Sequence, residues 1–332
     1  MPPSDSSNLE APPSADRDAL IREGLRCLQL SGALFLRAHL SAPWAYTSPA
    51  AAEVRTLLDA GDARIIIFHV ITEGNCRLQF ADGTGTELAT GDIVILPFSD
   101  QHSMGHPSIE RPVPIGQILP EPTKTPELVY GGGGPVMSMV CGYLRSDDVP
   151  LNPVLASLPP FIRVPTAGTP LKQWVDASIE YALHALTHRR PITDPLLARL
   201  PELMITEALC AFARTGHSND KGWLAGLADP IVGRALAVMH REPEAPWTLK
   251  ELARRAATSR SVLHERFREL VGQAPMSYLA AFRLQLAGRQ LRTSSASLAE
   301  VAQAVGYTSE ASFSRAFKRH VGISPGEWRK AG

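Results

Sequence analysis

The hydrophobic positions of the carboxyl-terminal third of the chain follow the same helical pattern twice. In the first copy the pattern is carried by Leu249, Leu252, Ala253, Ala256 and Ala257. In the second copy, 49 residues later, it is carried by Leu298, Val301, Ala302, Val305 and Gly306. Two unrelated helices would not stay in step in this way, so the pattern predicts a duplicated structural unit.

The correspondence continues along the chain, but there the offset is 50 residues instead of 49. The first copy continues with Leu263, Phe267, Val271, Gly272, Pro275 and Tyr278. The second copy continues with Phe313, Phe317, Val321, Gly322, Pro325 and Trp328. The change of offset predicts one added residue in the second copy, in a turn between Gly306 and Phe313.

Each copy is predicted to form two helices joined by a turn. The first helix of each copy has its apolar residues on one stripe and follows a capping residue, Thr248 or Ser297. The second helix starts near Ser259 or Ser309, which are also capping residue types. Each second helix ends in Val-Gly-x-x-Pro, a pattern at which one helix stops and the next begins.

The hydrophobic pattern between about Leu20 and Tyr143 is that of short β-strands. Residues 64–71 and residues 92–96 are β-branched runs between Gly, Asp and Pro residues. Repeated short strands without helical patterns predict a β-barrel or a double-sheet roll.

Two helical stripes follow these strands. One consists of Leu171, Trp174, Val175, Ser178, Tyr181, Ala182 and Ala185. The other consists of Leu196, Leu197, Leu200, Leu203, Met204, Glu207, Ala208 and Ala211. The two stripes predict a helical hairpin that packs either on a second copy of the chain, as a homodimer, or on the sheets of its own chain.

Charge is divided unevenly between the two halves of the 332-residue chain, although Lys and Arg balance Asp and Glu overall. Residues 221–332 contain 17 Lys and Arg against 9 Asp and Glu, whereas residues 1–220 contain 16 against 24. A basic segment binds phosphates by releasing counterions, so the carboxyl-terminal part is predicted to bind double-stranded DNA.

Composition limits the remaining classes of protein. The four cysteines have no close spacing, which argues against a disulfide scaffold and fits a reducing cytoplasm. No apolar run reaches the roughly 18 residues of a membrane span, so no membrane partner is predicted. Residues 1–17 are rich in Pro and Ser and are predicted to be a disordered leader.

The second helix of each copy offers polar side chains that could meet DNA. In such a helix the early residues face base edges in the major groove and later cations face phosphates. The candidate DNA-binding residues are Arg260, Ser261, His264, Arg268, Ser312, Arg315, Lys318 and Arg319. Glu265 and Glu310 lie on the same exposed faces, and His264 together with Glu265 is predicted to make the first recognition surface less cationic than the second.

The stretch from about 230 to 330 resembles the DNA-binding domain of the AraC/XylS transcriptional regulators. The resemblance is carried by Gly306-Tyr307, by residues 313–318 (Phe-Ser-Arg-Ala-Phe-Lys) and by residues 322–329 (Gly-Ile-Ser-Pro-Gly-Glu-Trp-Arg). It implies two helix-turn-helix units joined by a long helix, from Met276 to about Leu291. The two units would then reach successive major-groove segments on one face of DNA, about 34 Å apart.

The strand-rich part is similar to the cupin domain fused to many such regulators. Gly91-Asp92, Pro97 and His102 are spaced like the second cupin motif, although Ser99 and His106 replace two of its residues. In the first motif only His69 and Gly83 match, because Ile71 stands in place of a histidine and Cys76 stands about where a glutamate belongs. The departures count against cupin enzyme chemistry.

Two interpretations of the polar residues in this domain remain open. His69, Cys76, His102 and Cys141 could converge inside the roll as a tetrahedral zinc site, since two imidazoles and two thiolates suit that metal. The alternative is that the histidines are hydrogen-bonded core residues and that the cysteines are small buried hydrophobes.

Together these features predict a multidomain α and β protein. The predicted parts are a leader at 1–17, a cupin-like effector-binding domain at 18–165, a helical hairpin at 166–214, a linker at 215–229 and a double helix-turn-helix domain at 230–332. The predicted function is a cytoplasmic, sequence-specific transcription regulator whose cupin-like domain senses a small molecule or a metal and which also contacts RNA polymerase. The alternatives are a metal or thiol redox sensor and a cupin enzyme with a DNA-binding tail. The effector, and whether the chain activates or represses, are left open.

Overall fold

The described residues fall into two compact units. The computed structural model describes residues 30–61, 63–119, 127–146, 158–187, 195–214 and 221–331. The sheet unit lies within Gln29–Asp147 and Pro160–Phe212, and the helical unit is built on Ala213–Gly332. The leader predicted at residues 1–17 lies outside the described residues.

Two β-sheets form the sheet unit. Its strands are β1 (Leu30–Ser41), β2 (Trp44–Thr47), β3 (Arg64–Glu73), β4 (Asn75–Phe80), β5 (Gly85–Ala89), β6 (Asp92–Leu96), β7 (His102–His106), β8 (Val113–Pro114), β9 (Glu127–Gly131), β10 (Val136–Ser146) and β11 (Ile162–Pro165). A six-stranded sheet has the order β11-β6-β3-β10-β1-β9, and a five-stranded sheet has the order β5-β4-β7-β2-β8. Paired strands are antiparallel except for β1 with β9 and β2 with β8.

One hydrophobic core is shared by the two sheets. Side chains along a strand alternate between its two faces, so Ile65, Ile67 and Ile71 of β3 point the same way. They belong to a buried cluster with Leu78 of β4 and Met104 of β7, which are strands of the other sheet. The double-sheet roll predicted from the short β-branched runs is therefore confirmed.

Three helices accompany the sheets, namely α1 (Ala51–Leu57), α2 (Pro170–Thr187) and α3 (Pro195–Arg214). The helix α2 buries Val175, Ile179 and Ala182, whereas Trp174 and Tyr181 remain 36% and 42% exposed. The buried stripe is therefore narrower than predicted, because the two large aromatic side chains lie at its edge. The helix α2 and most of α3 belong to the same compact unit as the sheets, so they pack on their own chain.

The helical unit contains α4 (Trp223–Ala228), α5 (Pro230–Arg241), α6 (Leu249–Arg255), α7 (Arg260–Val271), α8 (Pro275–Thr293), α9 (Leu298–Ala304), α10 (Glu310–Val321) and α11 (Pro325–Ala331). Of the linker predicted at 215–229, residues 215–220 lie outside the described part of the chain, and α4 corrects the prediction for the rest. Trp223 is fully buried, and Gly226 lies against Val232 and Val271. A stretch that contributes a tryptophan to the core cannot act as a free linker.

The helices of the repeat begin at the predicted capping residues. The Thr248 side chain accepts a hydrogen bond from the backbone N–H of Glu251, and the Ser297 side chain accepts one from that of Glu300. Ser259 and Ser309 cap α7 and α10 in the same way. These bonds satisfy backbone donors that the first turn of a helix leaves free, so the local sequence determines where each helix starts.

The turn of each helix-turn-helix unit contains one left-handed residue, with φ of 53° at Ala257 and 83° at Gly306. After it, the backbone N–H of Thr258 donates to Ala253 and that of Tyr307 donates to Ala302, both at 2.9 Å. The two turns thus stay in register through Thr258 and Tyr307. The residue added in the second copy is therefore Thr308, just before the cap of α10.

Arg283 of α8 connects the two copies within the helical unit. Its guanidinium donates to the backbone oxygens of Pro243 and Ala245, each at 2.6 Å, and to that of Gly306 at 3.4 Å. A Cβ atom placed on Gly306 would lie 2.5 Å from the backbone oxygen of Glu244. The turn of the second copy therefore packs directly on the loop between α5 and α6.

Aromatic clusters fill the cores of both copies. In the second copy Phe317 lies edge-on to both Phe313 and Trp328. In the first copy His240 stacks on Phe282 with ring centroids 4.1 Å apart. The hydroxyl of Tyr278 lies 2.7 Å from Nε2 of His240, and Nδ1 of His240 is buried with no hydrogen-bond partner among the described residues.

The burial of His240 predicts that acid weakens the helical unit. Desolvation lowers the pKa of His240 from its ordinary value of 6.5 to about 3. Below pH ~6.5 the unfolded chain binds a proton that the folded chain does not, so stability is highest above that pH and falls as the pH falls. We expect His240 to lower the free energy of unfolding by about 2 kcal/mol between pH 7 and pH 5.

Denaturant unfolding at both pH values measures this effect. His240→Phe keeps an aromatic ring next to Phe282 and should reduce the loss of stability by about 2 kcal/mol, whereas His320→Phe at an exposed position should leave the loss unchanged. A loss in His240→Phe equal to that of the parent chain would contradict the assignment.

Candidate nucleic-acid interface

The helices α7 and α10 occupy equivalent places in the two copies, and we call them the recognition helices. Each follows a serine whose side chain accepts the backbone N–H of its third residue, Val262 or Ser312. Each ends at a left-handed glycine, Gly272 or Gly322, whose N–H bonds back to the last turn. The two recognition helices therefore have the same length, and their residues can be compared position by position.

The first recognition helix exposes most of the predicted DNA-binding residues. Arg260, Ser261 and Arg268 are exposed, and His264 is half-buried. Leu263, Phe267 and Val271 form its buried face. Within the described part of the chain, neither Arg260 nor Arg268 makes a hydrogen bond or an ion pair, so both guanidinium groups are available to an external anion.

The second recognition helix is more cationic on its exposed side. Arg315, Lys318 and Arg319 are exposed, and none of them makes a hydrogen bond or an ion pair with another described residue. Ser312 is half-buried, and its hydroxyl donates to the backbone oxygen of Ser309 at 2.8 Å. The structure thus places every predicted cation of both recognition helices in solvent. That both helices engage one DNA face together stays a prediction.

Arg266 is a charged residue of α7 that has a structural partner. Its guanidinium donates to Asp229 at 2.5 Å, and Asp229 also accepts the backbone N–H groups of Ile231 and Val232 at the start of α5. Asp229 is buried, so this ion pair holds the first recognition helix against α5. The ion pair joins residues 37 positions apart, so helical periodicity could not predict it.

The four candidate metal ligands all lie inside the sheet unit. His69 of β3 and Cys141 of β10 are opposite each other in register, and His69 Nδ1 lies 3.0 Å from Cys141 Sγ. The rings of His69 and His102 have centroids 5.7 Å apart. Cys76 of β4 is completely buried in the same core. All four side chains are thus found in the interior of the sheet unit.

The titration of these groups follows from their burial. Desolvation lowers the pKa of His69 to about 3, and the pKa of His102 is also lowered for this reason. Burial raises the pKa of Cys76 and Cys141 above that of a free thiol. Both imidazoles are thus neutral near pH 7 and both sulfurs are thiols, whereas the thiolate is the form that reacts with oxidants and binds metals.

The side chains in this interior interact in pairs. Among the described residues, no three His, Cys, Asp or Glu side chains are placed so that they could hold one metal ion. Cys141 Sγ is at hydrogen-bonding distance from His69, and the protonated thiols are poor ligands. The arrangement lends no support to the predicted zinc site of His69, Cys76, His102 and Cys141, which stays a hypothesis.

Two ring nitrogens of this interior have no hydrogen-bond partner. Nε2 of His69 and Nε2 of His102 are both buried and unbonded among the described residues. Nδ1 of His102 lies 2.9 Å from the backbone oxygen of Asp100, which can only accept, and 3.0 Å from the hydroxyl of Ser48, so we assign the proton to this nitrogen, which makes Nε2 an acceptor. Buried polar atoms without partners are uncommon in folded proteins and can indicate a ligand or an ordered water.

A cleft of about 510 Å³ lies elsewhere in the sheet unit, between α2 and the six-stranded sheet. Its lining residues are Arg37, Thr72, Val140, Lys172, Asp176, Ile179, Glu180, Leu183 and His184. Lys172 and Asp176 form an ion pair across one turn of α2. The hydrophobic pattern of the sequence did not predict this cleft, since it depends on how α2 packs on the sheet.

None of the described helices is both long enough and apolar enough to cross a membrane.

Comparisons with known proteins place both units in described families. Residues 20–214 match a family described as Cupin, and residues 252–331 match one described as Helix-turn-helix domain. An AraC-like transcription regulator of Streptomyces lividans is 36% identical over 270 residues, which cover 80% of this chain and 87% of that protein. The HTH-type transcriptional regulator AlkR of Acinetobacter baylyi is 28% identical over 270 residues, covering 80% and 88%.

A solved structure also matches the carboxyl-terminal part. It is the DNA-binding domain of the global transcriptional factor AdpA in complex with a target DNA. The two chains are 35% identical, and the match covers 31% of this chain and 92% of that chain with a TM-score of 0.30.

Proposed function

The chain belongs to the AraC-like transcription regulators, with a cupin domain followed by a helix-turn-helix domain, and we propose that it reads a two-part DNA site through α7 and α10. The relatives are named as regulators of transcription, which confirms the prediction of a regulator and not an enzyme. The observation that carries the proposal is a pair of equally capped helices whose exposed candidate cations make no hydrogen bond or ion pair with a described residue.

Each recognition helix enters one segment of the major groove in this proposal. The helix α8, which joins the two copies, has 19 residues and is roughly 28 Å long at about 1.5 Å per residue. This length suits two successive major-groove segments, which lie about 34 Å apart along one face of the duplex. Arg315 reads a base edge, whereas Arg260, Arg268, Lys318 and Arg319 contact phosphates.

Selection of bound duplexes from random DNA by the full chain tests this function. We expect one enriched sequence with two parts about one helical turn apart. If the four phosphate-binding cations each neutralise one phosphate, affinity for that sequence should fall about 150-fold between 50 mM and 200 mM salt. No enriched sequence, or an affinity that does not change with salt, would contradict the proposal.

The cupin domain is proposed to bind an uncharged small molecule that carries a hydroxyl group. Because Cys141 is a protonated thiol, we assign its S–H as the donor to His69 Nδ1, which leaves N–H at Nε2. His69 would then offer a donor and His102 an acceptor, the pair that one hydroxyl group satisfies. Both imidazoles are neutral, so a charged effector would gain little from them.

A metabolite screen against the selected DNA tests the effector. We expect an uncharged hydroxyl compound to change the affinity for DNA, and His69→Phe to remove this response. A response to zinc, together with one bound zinc per chain by elemental analysis, would support the metal-sensing alternative instead. Any effector that acts at a distance must bind two conformations of the protein with different affinity.

The remaining partners are proposed from the family and from the surface of α2. The exposed Trp174 and Tyr181 lie seven residues apart, on one side of the helix, and support contact with a second copy of the chain. Action in the cytoplasm and contact with RNA polymerase follow from the function of a transcription regulator. Measuring the mass of the full chain in solution would test the homodimer.

A further inference from the structure

The two recognition helices carry opposite charges at equivalent positions. With an offset of 50 residues, Glu265 corresponds to Arg315 and Glu269 corresponds to Arg319. The first residue of each helix is also reversed in charge, because Arg260 corresponds to Glu310. The ninth residue is a cation in both helices, Arg268 in α7 and Lys318 in α10. The two recognition helices therefore share a cation at the ninth position and carry opposite charges at the first, sixth and tenth positions.

The inverted positions lie on the outer side of each helix. Leu263 and Phe267 of α7 are completely buried, and Glu265 lies midway between them, which is half a turn away at 3.6 residues per turn. Arg315 has the same position between the buried Phe313 and Phe317 of α10. The sixth residue of each recognition helix thus points away from the core.

The carboxylates of the first recognition helix form no ion pair in the described part of the chain. Glu265 and Glu269 are exposed, and neither makes a hydrogen bond or an ion pair with any described residue. A different acid of the same unit, Glu251, does have partners in Arg254 and Arg255. Glu265 therefore lacks the intramolecular role that an exposed acid on a basic surface usually has.

The hydrogen-bonding groups on base edges determine which bases Glu265 and Arg315 can bind. Phosphates repel a carboxylate in the groove, so Glu265 is favourable there only if it meets a hydrogen-bond donor. The amino group N4 of cytosine is such a donor, whereas an arginine pairs with the two acceptors O6 and N7 of guanine. On the basis of the DNA binding proposed above, we infer that Glu265 selects cytosine in one half of the site and Arg315 selects guanine in the other half.

The site read by this chain is then asymmetric, although the reader is duplicated. The first recognition helix obtains sequence preference at the expense of affinity, because Glu265 and Glu269 offset part of the attraction between its cations and phosphate. The chain consequently binds its DNA in one orientation only.

Glu265→Gln in the full chain tests the inference by selection from random DNA. A glutamine pairs with adenine N6 and N7, so the variant should change the preference at one base pair from cytosine to adenine by about 5- to 150-fold. The other half of the site should stay the same. Glu269→Gln is the matched control, since it changes the same charge near the carboxyl-terminal end of the helix; it should strengthen binding to all sequences equally.

Two results would overturn the inference. One is that Glu265→Gln strengthens binding to every sequence equally, as expected of a carboxylate that only repels phosphate. The other is that the preferred bases do not change. Either result leaves the proposed function intact, because the wild-type chain would still select a two-part site. A wild-type chain that selects no sequence would instead contradict both the proposed function and this inference.

Discussion

Arg315→Ala is expected to weaken binding to the selected DNA by about 5- to 150-fold, which corresponds to 1–3 kcal/mol. The guanidinium is exposed, makes no hydrogen bond or ion pair among the described residues and extends from the sixth position of α10. No internal interaction has to be broken before it binds, so its loss removes two hydrogen bonds to one guanine. Titration of the selected duplex, at one fixed salt concentration, measures the effect.

The way in which the loss of affinity depends on DNA sequence is as informative as its size. With Arg315→Ala the discrimination at one base pair should disappear, and the variant should bind matched and mismatched duplexes alike there. Lys318→Ala is the control, because a phosphate contact should weaken all sequences equally and lower the salt slope by about 1. An equal loss on every duplex with Arg315→Ala would reassign Arg315 to the backbone of DNA.

Gly306→Ala is expected to lower the free energy of unfolding of the helical unit by about 3 kcal/mol. The residue has φ of 83°, where any side chain is strained. The added Cβ would also meet the backbone oxygen of Glu244 at 2.5 Å, and a backbone cannot move aside as a flexible side chain can. Denaturant unfolding followed by circular dichroism measures the loss.

The equivalent residue of the first copy offers the matched test. Ala257 already has a left-handed φ of 53°. Ala257→Gly should raise the free energy of unfolding by roughly 0.5 kcal/mol, because relief of strain outweighs the greater freedom of glycine in the unfolded chain. If Gly306→Ala lowered the free energy of unfolding by no more than Ala257→Gly raises it, the close contact at Gly306 would be tolerated.

Local features of the sequence predicted the helical unit in detail. Thr248, Ser259, Ser297 and Ser309 cap their helices through bonds to residues three positions away, so the sequence nearby contains all the information. The change of offset located the added residue to a turn, and the hydrogen bonds of the turn then identified Thr308. Repetition strengthened each of these predictions, because a coincidence in one copy would not recur in the other.

Features that depend on distant contacts were not predictable in this way. The helix α4 was taken for a linker, since six residues give too short a pattern and its burial depends on Val232 and Val271. The ion pair of Arg266 with Asp229 and the packing of α2 over the cleft have the same origin. In the sheet unit, the two motifs located His69 and His102, but only the register of β3 and β10 showed that His69 pairs with Cys141.

The contacts of Arg283 imply a strict rule for promoters. Because this one side chain binds the loop that precedes the first copy and the turn of the second, it restrains the two recognition helices from pivoting independently. One base pair inserted between the halves of an operator turns one half by about 34° around the duplex axis, at about 10.5 base pairs per turn. Genuine target promoters should therefore share a single spacer length, and candidates that differ by even one base pair should go unrecognised in the genome.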